Sequence, residues 1–300
     1  MRKKNRNHNL GWRVCGSRQA GLTLLELLIA MGLGLFLVAG LIQVLLANRV
    51  AFNVQENMSR IQEDGRFVTT VMNKAVSMAG YREDSTVAAS TQFSTYTIPS
   101  TPALPPPITF NGAQVVRGTD DNGTGTTDEI QDGTDTVAVR FRGSTDNTTR
   151  DCHGTVIASG TIAINRFYVD EDTLYCRSDI YNPATGAVLS AANPKQPLIN
   201  NVEDMQVLYG MSTSGGTNDI AAECYIDAST TLGSGSDCTT LNYDQVVSVR
   251  ISLLLKSEDD NLTPDRSAQT YTFNGAIATA ADSRLYRTLT TTIAIRNKIL

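Results

Sequence analysis

Residues 22–47 are an almost unbroken run of Leu, Ile, Val, Ala, Phe, Met and Gly, and six cations stand just before it. A helix of that length spans the hydrocarbon core of a bilayer, where backbone polar groups must be paired within the segment. Arg2, Lys3, Lys4, Arg6, Arg13 and Arg18 hold the preceding end in the cytoplasm, so the C-terminal part is exported. In an ordinary secretory signal the apolar core is shorter and a small-residue cut follows it. Here the polar break comes first, at Gly21, and a single acid, Glu26, lies inside the run. A carboxylate in a membrane helix costs about 2.5–3.5 kcal/mol to insert, so it needs a task or a route to water. Cleavage between Gly21 and Leu22 would create a free amine about one helical turn from Glu26, and an amine is the partner that a buried carboxylate requires.

The charge of the chain divides at the same point. The net charge is −5, but the first 21 residues carry six cations and no acid, leaving 19 basic against 30 acidic residues, a net of −11. A body of that sign has no basic face to neutralise phosphates, which excludes nucleic acid as a partner. Cysteine usage points to an oxidising compartment. Cys15 lies before the apolar run, and Cys152, Cys176, Cys224 and Cys238 lie far beyond it. Four cysteines downstream of an export segment read as two disulfides. Short local loops favour Cys152–Cys176 and Cys224–Cys238, with a Cys176–Cys224 pairing left open.

Past the membrane the helix is expected to continue to about Gly80. Val50, Val54, Met58, Ile61, Val68, Met72, Ala75 and Ala79 recur at helical intervals and make one apolar stripe. Arg49, Gln55, Glu56, Arg60, Glu63 and Lys74 decorate the other side. The stripe is expected to pack on the chain's own β domain. Residues 82–135 are rich in Ser, Thr, Gly, Asp and Pro, with polyproline II expected at 101–107 and an exposed acidic loop at 119–135. Strand patterns follow at 136–141, 246–255 and 289–296. Their alternation predicts antiparallel sheets with one polar face. The fold class is therefore α+β, a long N-terminal α-helix with a transmembrane half and an amphipathic half packed on antiparallel β-sheets. Three segments are expected: a cytoplasmic leader at 1–21, the helix at 22–80 with its transmembrane part at 22–47, and a β-rich body outside the cytoplasm at 81–300.

The body carries little catalytic chemistry. Beyond the leader His153 is the only histidine, so a Ser-His-Asp or Cys-His arrangement would have to use it. No phosphate-binding G-x-x-x-x-G-K-[ST] loop occurs. Asp120, Asp121, Asn122, Asp128, Glu129, Asp132 and Asp135 are hard oxygen donors suited to calcium, but Thr124 and Gln131 break the EF-hand pattern. No metal and no cofactor is expected.

Gly21-Leu-Thr-Leu-Leu-Glu26 followed by an apolar helix resembles the leader of type IV prepilins and type II secretion pseudopilins. The resemblance implies that a membrane prepilin peptidase cuts after Gly21 and methylates the new amine of Leu22. It also implies that Glu26, at the fifth mature position, is the assembly residue. Leu22 stands where the family usually has Phe, and the helix-kinking Pro of major pilins is missing, leaving Gly32, Gly34 and Gly40 as local weak points. Further landmarks are Arg60-Ile-Gln-Glu-Asp-Gly-Arg-Phe67, Met78-Ala-Gly-Tyr81, the strand at 133–141, Tyr209-Gly210, the strand at 246–255 and Ile293-Ala-Ile-Arg-Asn297. In this order they resemble the PilW family of minor pilins. That family usually continues the tyrosine after the helix with Leu-Gly-Cys. Here Arg82-Glu83-Asp84 follows Tyr81, so a pairing through that cysteine does not carry over.

What the resemblance implies is a pilin-like structural subunit rather than an enzyme. It would be held in the inner membrane by a single pass with its C-terminus in the periplasm, then placed near the pilus tip at the cell surface. It would help initiate pilus assembly and support twitching motility and adhesion. Its implied partners are other minor pilins, the major pilin, a tip adhesin of the PilY type and the inner-membrane assembly platform. The rival reading is a J-type pseudopilin of a type II secretion system.

Overall fold

The computed structural model describes residues 21, 23–84, 86–98, 107–120, 130–189, 195–213, 221–234, 237–263 and 267–298. The chain divides into two compact units, Met1–Phe52 and Asn53–Leu300. Helix α1 (Leu24–Ser77) has 54 residues and runs through Gly32, Gly34 and Gly40 without a break. In the first unit its large apolar side chains, from Leu24 to Phe52, are all exposed. This segment is long and apolar enough to cross a membrane.

In the second unit the same helix turns amphipathic. Ile61, Val68, Met72, Ala75 and Val76 are buried, while Glu56, Arg60, Glu63 and Lys74 stay exposed. Two non-apolar residues belong to the buried face although the periodicity passed over them. Gly65 lies under Leu255 and Leu289. Asn57 donates from Nδ2 to Asp259 Oδ2 at 2.9 Å and to Asn53 O at 3.0 Å, so its burial leaves the amide paired.

The body begins with α2 (Ala89–Gln92), β1 (Tyr96–Thr97) and β2 (Thr109–Phe110). Strands β3 (Val116–Thr119), β4 (Thr136–Arg142), β5 (Ile162–Asp170), β6 (Thr173–Tyr181) and β7 (Gln196–Asn200) then form a five-stranded antiparallel sheet in chain order. Asn201, with φ of 60°, turns the chain into the second sheet, an αL conformation that Asn tolerates better than most residues. The later strands are β8 (Val202–Met211), β9 (Cys224–Ile226), β10 (Val246–Lys256), β11 (Thr270–Phe273), β12 (Ala276–Thr279) and β13 (Tyr286–Ala294). Four of them make an antiparallel sheet in the order β13-β10-β8-β9, and β11 and β12 form a hairpin. One continuous apolar core joins α1 to strands of both sheets. The architecture is α+β, a long apolar-to-amphipathic helix packed on antiparallel sheets.

Two expectations need correction. The strands at 136–141 and 246–255 do not present a polar face to water. Thr136, Ala138 and Arg140 are buried, and so are Ser248, Ser252 and Leu254. The cover on β4 comes from the polar-looking stretch that precedes it. Phe93, Tyr96, Ile98, Ile108 and Phe110 of that stretch are buried in the same core as Ala138. On β10 the cover is Tyr225, whose hydroxyl accepts from Ser248 Oγ at 3.3 Å, and a small cluster that sets Leu254 against Phe273 and Tyr286. In addition, 119–135 is not an exposed loop throughout. Thr119 ends β3, and Ile130, Thr134 and Asp135 are buried. The β13 alternation does hold, with Ile293 and Ile295 buried and Thr290, Thr292 and Ala294 exposed. The polyproline stretch at 101–106 lies outside the described residues.

Candidate functional site

Three places carry the residues singled out in the sequence: the start of α1, its end against the body, and the cysteine loops. At the start, Thr23 precedes the first helical residue, and its carbonyl accepts from Leu27 N at 3.2 Å. Glu26 N donates to Thr23 Oγ1 at 3.2 Å, and Glu26 Oε2 accepts from Thr23 N at 3.4 Å. This is a reciprocal capping box, the T-x-x-E arrangement that satisfies donors left free at a helix N-terminus. Thr23-Leu-Leu-Glu26 was readable as that motif, but the membrane context drew attention to the charge alone. Gly21 is exposed, and a Cβ built on it meets nothing within 4 Å. Leu22, with the leader including Cys15, lies outside the described residues.

The end of α1 explains why widely spaced sequence landmarks occur in one chain. Gly80 has φ of 77°, which stops the helix, and its N–H donates to Arg140 O at 2.9 Å. Asn297 Nδ2 donates to Ser77 O at 2.9 Å and Ala79 O at 3.4 Å, taking up carbonyls that the helix end leaves free. Arg140 is fully buried. Its guanidinium donates to Ser94 O and Asn111 O, each at 2.7 Å, and to Gln114 O, and it lies over the Phe93 and Phe110 rings. Burial pulls its pKa down, and these acceptors keep a charged group in place where solvation is lost. Tyr209 packs against Gly118, where any Cβ would collide with the tyrosine hydroxyl, and that hydroxyl donates to Thr136 O at 3.3 Å. These contacts fasten the end of the helix to the body and the two sheets to each other.

After the helix, Glu83 does the tethering in the region where the resembled family carries a cysteine. Its Oε1 accepts from Thr145 N at 2.9 Å and from the Thr145 hydroxyl, and its Oε2 accepts from Ser159 at 3.3 Å. The hydrogen bonds from Thr145 hold this carboxyl below its ordinary range.

The chain bonds Cys152 to Cys176 and Cys224 to Cys238, with sequence separations of 24 and 14. Closing loops of these sizes restricts the unfolded chain by about 3 kcal/mol each in the chain-entropy treatment. His153 lies beside the first pair, with Nε2 at 3.1 Å from Cys176 O. Cys152, His153 and Cys176 are close enough to hold a metal ion, but the disulfide takes both sulfurs and leaves one imidazole. Of the acidic calcium candidates, Asp121, Asn122, Asp128 and Glu129 lie outside the described residues. Asp120 and Asp132 are described, and Asp135 is buried.

Asp135 tethers the two sheets. Its N–H donates to Met205 O at 2.8 Å, and its Oδ2 accepts from Val207 N at 2.6 Å. Burial, with Asp120 and Asp204 nearby, pushes its pKa up to about 8. The folded chain thus keeps a proton there that the unfolded chain releases above about pH 4. Stability from this group is complete below that point and is lost as pH rises through about 8. The unfolding free energy from urea titration in detergent should fall from about pH 5 to about pH 8, by on the order of a few kcal/mol at most. Asp135→Asn, which keeps an acceptor for Val207, should flatten that slope. An unchanged slope in the variant would remove Asp135 as its source.

Comparison with known proteins meets the same two regions of the chain. The family described as "Type IV Pilus-assembly protein W" matches residues 160–297, from the edge of β5 to the asparagine that caps α1. The "Prokaryotic N-terminal methylation motif" matches residues 16–42, which hold Gly21, Leu22 and Glu26. No curated protein matches the chain. Among solved structures, a type IV-like pilin from Thermus thermophilus is similar at 15% identity and a TM-score of 0.42, over 79% of this chain and 98% of that one. The methylation motif and the apolar helix mark a chain anchored in the membrane before assembly, and the family is one whose members assemble with other pilins in a pilus. Both matches fall on one α+β fold, so this chain is similar to the PilW family of type IV pilins over residues 160–297 and carries the prepilin methylation motif at 16–42.

Proposed function

We propose that this pilin is a minor, low-copy subunit that helps start pilus assembly and ends near the tip, where it supports twitching motility and adhesion. The observation that carries the reading is the size of the second unit, Asn53–Leu300. A body that large sits awkwardly at every position of a repeating shaft but is accommodated where few copies are needed. Its role is structural and not enzymatic. Orientation follows from the leader cations, which keep 1–21 in the cytoplasm, and from the two disulfides, which suit a body in the periplasm. The partners are other minor pilins, the major pilin, the prepilin peptidase, the inner-membrane assembly platform and a tip adhesin of the PilY type.

Deletion of the gene tests this. Surface pili and twitching are expected to fall sharply while the major pilin stays near its normal level in the membrane, because the lost step is initiation. Normal pili together with failed protein secretion would transfer the chain to a type II system as a J-type pseudopilin.

A further inference from the structure

The outer edge of β13 is an open hydrogen-bonding row. Ile295 N donates to Val247 O and Ser257 N to Leu285 O, each at 2.8 Å, so the odd-numbered residues of this segment bond inward to β10. The even-numbered residues therefore turn their N–H and C=O groups to the other side. At Tyr286 that side is closed by Gln269, whose Oε1 accepts from Tyr286 N at 2.8 Å and whose Nε2 donates to Tyr286 O at 3.0 Å. At Thr288 the hydroxyl reaches Thr272 O on β11 at 2.7 Å. Beyond it, among the described residues, the outward backbone groups of Thr290, Thr292 and Ala294 meet no partner. Proteins ordinarily blunt such an edge with lysine, proline, a bulge or a covering segment. Among the described residues this stretch has none of these, and its pairing with β10 is free of register shifts.

A groove of about 470 Å³ lies beside that edge, between α1 and the sheet, lined among others by Gly65, Arg66, Thr69, Leu255, Arg287 and Leu289. A strand added to β13 would send alternate side chains toward α1, and at the Leu289 end those side chains would enter the groove. The surroundings are cationic on a body that is otherwise acidic. From Tyr286 to Asn297 the chain has Arg287 and Arg296 and no acid, and Arg66 stands exposed on the helix side. A second copy would bring the same arginines together in an antiparallel pairing, and like charges on paired strands repel.

We propose that β13 accepts an extended strand from a different neighbouring subunit, a segment that alternates apolar and polar residues and carries acids at its ends. The backbone supplies the attachment, the groove selects the apolar side chain, and Arg66, Arg287 and Arg296 select the flanks. The proposal rests on the reading of this chain as an assembling pilin.

The test uses the full-length chain, tagged and isolated from membranes with and without its co-assembled pilins. Amide exchange at Thr290 and Thr292 is expected to slow by about tenfold or more in the assembled fraction, since pairing closes those donors to water. Thr290→Pro with Thr292→Pro removes both outward donors and should lower pilin recovery by about tenfold, because main-chain bonds carry strand addition. Thr290→Ala with Thr292→Ala keeps the donors and should recover pilins like the parent. Arg287→Glu should lower recovery severalfold without touching the backbone, so the proposal stays testable if the proline variant fails to fold. Unchanged exchange on assembly, equal losses in the alanine and proline variants, or crosslinks joining two copies of β13 would overturn it. If a folded proline variant recovers pilins fully, the edge proposal fails and the pilin reading stands. If the parent recovers none, both fail.

Discussion

Gly21→Glu is expected to leave the chain uncut, with the basic leader still attached and no copy on the cell surface. Gly21 is exposed, and a side chain there meets nothing in the chain itself, so the variant should fold and insert as the parent does. A defect in it must therefore be read by another protein. A peptidase at the membrane face has to take extended backbone into its active site directly before a helix that begins at Leu24. A misplacement of about 1 Å at a reacting bond can cost about 10²-fold in rate, and a charged side chain at the scissile residue displaces more than that. N-terminal mass spectrometry checks both sides of the expectation. The parent should begin at methylated Leu22 and the variant at the original leader. A variant processed like the parent, or a parent found in pili with its leader intact, would end the prepilin reading of residues 1–22.

How far the sequence could be read depended on the range over which each residue is satisfied. The apolar run was visible from its length and composition alone. The stripe from Ile61 to Ala79 and the strand alternation of β13 are local periodicities, visible because one face of the element meets the core and the other does not. The burial of Asn57 was invisible because its partner, Asp259, is 202 positions away. Arg140 was misread for the same reason. In a strand it counts as a polar-face residue, yet three carbonyls and two aromatic rings from 93–114 enclose it. A Ser- and Thr-rich stretch hid that cover, since its few large apolar residues follow no period. The buried Asp135 was lost in an acidic loop because composition does not say which carboxylate folds inward. At the candidate site, the disulfide pairs were legible from the spacing of the cysteines. The free edge of β13 was not, because an edge is defined by the strand that is missing.

Glu26 closes an observed helix cap, and we propose for it a second role, in assembly, that a single substitution can separate from the first. Within the chain it closes the capping box with Thr23, a local contribution of about 0.5–2 kcal/mol that glutamine can also make. In the proposed assembly role its carboxylate would pair with the amine of Leu22, its own or that of the next pilin. As pilins leave the bilayer each amine enters a bundle of packed helices. Removing one partner of a buried charge pair there costs about 3–5 kcal/mol, far more than the cap is worth. Glu26→Gln keeps the cap and loses the charge, so it should reduce surface pili as severely as Glu26→Ala. Both should fall short of gene deletion, because a subunit at the tip has fewer neighbours to recruit than one within the shaft. Filament counts by electron microscopy in the three strains decide the matter. Full piliation in Glu26→Gln with loss in Glu26→Ala would make the residue a helix cap and nothing more. Loss equal to deletion in both would mean that even the few copies of a priming complex need the carboxylate to come together.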